Sequence, residues 1–231
     1  MKDKEATAEE VLAELRAQAN AKNVAGMARF GINAERALGI SMVALRQFAK
    51  PLKRDHALAA ALWASGVHEA RILASLIDEP KRVTPSQMER WARDLDSWDL
   101  TDQVCGNLFL QTPYAYNKAV EWSCRSREFV KRAGFTLMAQ LAVHDKAAPD
   151  EAMQAFLPII EREAADERNY VRKAVNWALR QIGKRDRRLN AAAVETARRI
   201  QQHQVKVVRL SREEPENPAR SEALEKNIDQ T

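Results

Sequence analysis

Residues 167–184 read ERNYVRKAVNWALRQIGK. Val171, Val175, Ala178, Leu179 and Ile182 recur at helical spacing and form one apolar stripe, so Glu167–Lys184 is predicted as an amphipathic helix. At 100° per residue, Trp177 falls on the face opposite Val175, among Lys173, Arg180 and Lys184. A tryptophan inside a basic stripe suits nucleic acid, with cations for phosphates and an indole for a sugar or base. The same ring is equally consistent with cover by an adjacent repeat.

Outward from this helix, similar segments follow one another with no strand-like interval: Thr7–Asn20, Val24–Phe30, Ser41–Lys53, His56–Ser65, His68–Ile77, Pro85–Asp94, Trp98–Leu110, Ala115–Ser123, Ser126–His144, Asp150–Glu163 and Ala191–Lys206. Breaks are expected at Gly39, Pro51, Gly66, Pro80, Pro113, Pro149 and Gly183, many of them about 30 residues apart, enough for a helical hairpin each. The pattern predicts an all-α fold: an α-solenoid of HEAT-like antiparallel helix pairs over 1–209, with a polar, disordered tail over 210–231.

Composition agrees. About one residue in six is alanine, the best helix former, while the 231 residues include only 7 glycines and 8 prolines, too few for the turns of a β-sandwich. The longest apolar run, Ala57–Ala64, is too short for a bilayer, and Met1–Glu5 has no apolar leader core, so a cytoplasmic protein is expected. Two cysteines, Cys105 and Cys124, make no disulfide scaffold, and four scattered histidines give no metal-ligand spacing; no metal or cofactor is expected. The net charge of +5 is uneven: residues 124–210 hold 18 Lys/Arg against 10 Asp/Glu, which suggests an anionic partner.

Two further helices hold oddly placed residues. In Trp98–Leu110, the stripe is Leu100, Val104 and Leu108; Trp98 and Asp102 stack on another face, Ser97 is the expected N-cap, and Asp99 suits the helix dipole. Asp102 lies too deep for that explanation. Beside an indole it could stabilise a developing cation or activate water, or be an ordinary solvated acid. Ser126–His144 is apolar nearly all round after Ala133 and is expected at the centre of the fold. Lys131 and Arg132 near its start oppose the helix dipole, which a bound phosphate or an ion pair to Glu121 or Glu128 would offset.

Taken together, these motifs resemble the AlkD-type DNA alkylation repair family of HEAT-like-repeat DNA glycosylases. The matching segments are Gly39-Ile40 before Leu45-Arg46, His68-Glu69-Ala70-Arg71, Ser97-Trp98-Asp99-Leu100-Thr101-Asp102, Phe129-Val130-Lys131-Arg132-Ala133 and Arg172-Lys173-Ala174-Val175-Asn176-Trp177-Ala178-Leu179-Arg180, in family order from about Met27 to Lys184. The resemblance implies a curved superhelix whose concave basic cleft cups duplex DNA containing alkylated bases, and a monomeric, monofunctional glycosylase acting without base flipping. It implies that Trp98 and Trp177 are cleft tryptophans, Asp102 the catalytic aspartate and Arg132 the phosphate-gripping arginine. Lys131, Lys173, Arg180 and Lys184 then become DNA contacts, as do Phe30, which replaces a tyrosine, and Ser41, which replaces a longer amide. A non-catalytic nucleic-acid-binding module and a protein-interaction scaffold are the alternatives.

Overall fold

The computed structural model describes residues 6–213, with side chains to residue 203. Among the described residues there is no strand, and no helix is long and apolar enough to cross a membrane. The elements are α1 (Ala8–Ala17), α2 (Ala21–Arg29), α3 (Met42–Leu52), α4 (His56–Ala64), α5 (His68–Ile77), α6 (Pro85–Arg93), α7 (Trp98–Asn107), α8 (Ala115–Ser123), α9 (Glu128–His144), α10 (Asp150–Gln154), α11 (Leu157–Glu163), α12 (Asn169–Gly183) and α13 (Arg187–Glu213). A 3₁₀ turn, Phe109–Gln111, follows α7.

Local chemistry explains most boundaries. Thr7 and Glu10 form a reciprocal capping box, and Asn20, Ser41, Asp55 and Thr84 each accept a first-turn N–H of the helix they open. Three expected boundaries differ. Pro51 sits within the last turn of α3, and the helix stops at Lys53, whose φ is +54°. The segment expected as one helix over 150–163 is two, because Pro158 stands at the start of α11, where its missing N–H costs nothing. The helix expected over 191–206 runs from Arg187 to Glu213. It therefore takes in 210–213, the start of the tail expected over 210–231, the rest of which lies outside the described residues.

Helices α3, α5, α7, α9 and α12 pack side by side in one inner row; α4 backs α5, α8 backs α9, and α11 and α13 back α12. As expected, α9 is central, with Val130–Ala139, Leu141 and Ala142 buried. Its approach to α8 is so close that a Cβ on Gly134 would meet the Ser123 nitrogen at 2.6 Å. The outer layer is tied by aromatic rings: Trp63 stacks on Trp91 at 4.0 Å, Trp91 leans on Phe109, and Phe109 meets Trp122 edge-on at 5.6 Å.

Candidate nucleic-acid interface

Four successive inner helices, α5, α7, α9 and α12, begin without a side-chain N-cap bond. Ser97, expected to cap α7, does not: its buried hydroxyl donates to the Asp96 carboxylate at 3.3 Å. The starts of these helices are instead linked across the row. His68 on α5 meets Asp99 on α7 at 2.9 Å. Asp102 on α7 meets Arg132 on α9, and the Arg132 Nη1 donates to the Tyr170 carbonyl on α12 at 2.7 Å. Uncapped first-turn N–H groups lying along one edge supply partial positive charge there.

Asp102 and Arg132 form a two-pronged pair. Nε donates to Oδ1 at 3.1 Å and Nη2 to Oδ2 at 2.8 Å, while the Thr136 hydroxyl donates to Oδ1 at 3.0 Å. Burial pushes the Asp102 carboxyl above its ordinary value, while the charge and hydrogen bonds of Arg132 and the Thr136 hydroxyl pull the other way. Of the acids expected to balance the cations at the start of α9, Glu121 does pair with Arg125 just before the helix, but neither Glu121 nor Glu128 is the partner of Lys131 or Arg132. Glu121 is held by Lys118 and Arg125, and Arg132 reaches across to the neighbouring helix.

Lys131 corrects another expectation. Its ammonium lies 2.5 Å from Glu163 and 3.0 Å from Asp166, with a tenth of the side chain exposed. Burial works against its charge, but the hydrogen bonds to these two carboxylates hold it protonated above the ordinary range. The charge is matched inside the protein, and Lys131 is not among the residues that line the cleft beside Arg132.

Arg132 also lines an open cleft of about 650 Å³ with Trp98 of α7 and Asn169, Tyr170 and Lys173 of α12; Ala28 to Gly31 form its other wall. The indole N–H of Trp98 donates to the Phe30 carbonyl at 3.0 Å, and the Tyr170 hydroxyl to the Gly31 carbonyl at 3.2 Å. Residues 139 positions apart thus meet, so the row curls around the cleft. A guanidinium has five N–H groups. Arg132 uses three within the protein, which leaves two on a side chain that lines the cleft.

The remaining expected contacts divide. Lys173 is an exposed cleft residue, and Arg180 and Lys184 continue its stripe along α12; no ion pair engages any of the three among the described residues. Trp98 and Trp177 are half-buried, whereas Trp63, Trp91 and Trp122 are core. Trp177 packs against the core one turn past Lys173 and is not among the residues that line this cleft. Ser41 is the N-cap of α3, its oxygen accepting from the Ala44 N–H at 3.2 Å, and it too lies off the cleft lining. Phe30 is at the cleft, 73% exposed.

Residues that sequence reasoning missed include Tyr170, Thr136, Arg29 and Glu69. The buried Glu69 carboxylate accepts from the backbone N–H groups of Leu38, Gly39 and Ile40 at 2.7, 2.7 and 3.3 Å. It pins the loop that leads from α2 to α3, and so fixes the wall carrying Phe30. The Gly39-Ile40 and His68-Glu69 motifs are therefore one structural unit.

The family model for DNA alkylation repair enzymes matches residues 11–226. No curated protein matches the chain significantly. Among solved structures, one described as a new family of proteins related to the HEAT-like repeat DNA glycosylases, with affinity for branched DNA structures, is similar. Its TM-score is 0.75 at 23% identity, covering 84% of this chain and 83% of that one. At that identity the likeness establishes the HEAT-like solenoid fold.

Proposed function

Since the chain belongs to the DNA alkylation repair enzyme family, we propose that it binds duplex DNA in the Trp98–Arg132–Lys173 cleft and hydrolyses the N-glycosidic bond of cationic N3- or N7-alkylated purines. One observation carries this reading. Asp102, a fifth exposed, is coupled directly to Arg132, which lines the cleft beside the half-exposed Trp98. A carboxylate, a cation and an indole are thereby gathered where a backbone phosphate and its sugar would lie.

The chemistry follows from the leaving group. An alkylated purine carries positive charge and departs as a neutral base, so acid catalysis is not required. The oxocarbenium-like sugar needs a negative neighbour and a water. Asp102 supplies the charge and takes the proton that the attacking water loses at C1′; a preorganised group of this kind is worth about 3–4 kcal/mol. Arg132 and Lys173 hold phosphates, and Trp98 covers the sugar, adding on the order of 0.5–2 kcal/mol. A phosphate that draws Arg132 toward the cleft loosens its hold on Asp102, so DNA binding itself uncovers the carboxylate. The reaction consumes only water, and the protein acts as a cytoplasmic monomer.

A second reading is favoured by the same pair. Because Arg132 and Thr136 occupy the Asp102 oxygens, Asp102 serves equally to aim Arg132 at phosphate in a non-catalytic DNA-binding module. The experiment is to incubate protein in excess over methylated duplex and quantify free base by chromatography, alongside binding at several salt concentrations. Base release with a log K against log[salt] slope of about −4 to −5, as for 4–6 phosphates, supports the glycosylase. The same slope without release supports the binding module, and a slope near zero supports a protein scaffold.

A further inference from the structure

Helix α2 ends at Arg29, and Phe30 follows as its C-cap, 73% exposed. A single exposed phenylalanine is ordinary on any protein. This one differs in how its backbone is held. The Trp98 indole N–H takes its carbonyl from α7, and the Tyr170 hydroxyl takes the next carbonyl, that of Gly31, from α12. Gly31 has φ +71°, and a Cβ there would lie 1.8 Å from the Tyr170 oxygen, so any side chain would strain the turn and push that hydroxyl away. Two helices that are remote in sequence thus clamp the turn while its ring projects from the cleft wall. Packing does not explain that ring, for Phe30 is no part of the hydrophobic core or of the residues packed on it.

A phenyl ring offers no hydrogen bond, so its value at a cationic cleft lies in stacking. Arg132, Lys173 and Arg29 share the cleft with it. Resting on the DNA-binding reading above, we infer that Phe30 is a stacking platform for an unpaired nucleobase, and that it makes the cleft prefer duplex DNA interrupted by a gap or bulge. In an intact duplex each base already stacks on its neighbours, and a wedge must first part them. At a one-nucleotide gap the unpaired base opposite has lost its partner, leaves the stack at a lower cost, and then presents a π-face. Aromatic stacking then adds affinity whatever the base identity. Clamping the turn removes the cost of ordering the ring on binding.

The test compares two 21-mer duplexes at one salt concentration, one intact and one with a one-nucleotide gap opposite 2-aminopurine. Binding is followed by anisotropy and by 2-aminopurine fluorescence. The parent protein is expected to bind the gapped duplex about tenfold more tightly and to quench the probe by stacking. Phe30→Ala is expected to lose the quenching and most of that preference, its affinity falling further for the gapped than for the intact duplex. Phe30→Trp should restore both. Equal parent affinity for the two duplexes, or a preference retained by Phe30→Ala, overturns the inference while leaving the DNA-binding reading in place. Absence of binding to either duplex overturns both.

Discussion

Arg132 on α9 holds Asp102 on α7 through two parallel hydrogen bonds, at 3.1 and 2.8 Å, and the pair joins the candidate catalytic charge to the candidate phosphate ligand. Its arginine side chain is 7% exposed. A buried pair of this sort contributes little net stability when intact, yet removing one partner is costly because the other charge is left uncompensated. The link is therefore better understood as fixing geometry than as holding the fold.

Two lysines of opposite fate give the first prediction. Lys173 is exposed and unpaired at the cleft, whereas Lys131 is enclosed by Glu163 and Asp166. Lys173→Ala should reduce the slope of log K against log[salt] by about one unit with an unchanged melting temperature. Lys131→Ala should leave the slope alone and lower the melting temperature, since Glu163 and Asp166 lose the cation between them and keep only Arg162 and Arg168. Fluorescence anisotropy and thermal melts check both, and a reduced slope in Lys131→Ala would return that lysine to the interface.

Gly31 gives the second. A side chain there combines a positive φ with a collision against the Tyr170 oxygen. Gly31→Ala should destabilise by about 1–3 kcal/mol through backbone strain and weaken DNA binding by displacing the Phe30 wall. Tyr170→Phe removes one bond without the clash and should have the milder effect on both melting and affinity. An Ala variant as stable as the parent would show that the turn is not clamped.

The His68–Asp99 link gives a pH dependence. Burial disfavours the His68 imidazolium, but the Asp99 hydrogen bond and the charges of Asp99, Glu69 and Asp96 raise its pKa above the ordinary 6.5. Burial likewise opposes ionisation of Asp99, which the His68 bond and charge lower below the ordinary 3.8. The histidine contribution is complete below 6.5 and disappears as pH rises through the raised value; the aspartate contribution is complete above 3.8 and disappears as pH falls through the lowered one. Stability from this pair is thus greatest between about pH 4 and 6.5. Melting curves of the parent minus those of His68→Gln should show a difference that shrinks as pH climbs past neutrality. A difference independent of pH would mean that His68 folds neutral.

The fold was largely legible because helices are local. His68–Ile77 and Ala115–Ser123 have the boundaries that their apolar spacing and flanking residues predict. Pro158 was missed as a break because a proline at a helix start and one inside a helix look alike in a continuous apolar pattern. The cleft residues Trp98, Arg132 and Lys173 were legible as misplaced charge or ring and Phe30 only through the family resemblance, whereas their partners were not. Reasoning along one helix sends Arg132 to Glu121 or Glu128. In a solenoid the partner lies one repeat away: Trp63 to Asp94, His68 to Asp99 and Asp102 to Arg132 span 31, 31 and 30 residues. Pairs of opposite polarity about 30 residues apart were the available signal, and the same spacing links Glu69 to Leu38. Lys131 misled because exposure is not written in charge.

The most direct test of the central claim is single-turnover release of 7-methylguanine by Asp102→Asn against the parent. The substitution keeps an acceptor for Arg132 and removes the negative charge, so a stability loss of about 1–3 kcal/mol is expected and melting curves confirm that the variant is folded at the assay temperature. If Asp102 acts on the sugar cation, release should fall by about 10²–10³ while affinity for unmodified duplex holds or rises, because a charge that repels phosphate is gone and Arg132 is freer to bind it. Equal release by the two proteins, or a parent that binds DNA and releases no base, would contradict the account and leave Asp102 as the residue that aims Arg132.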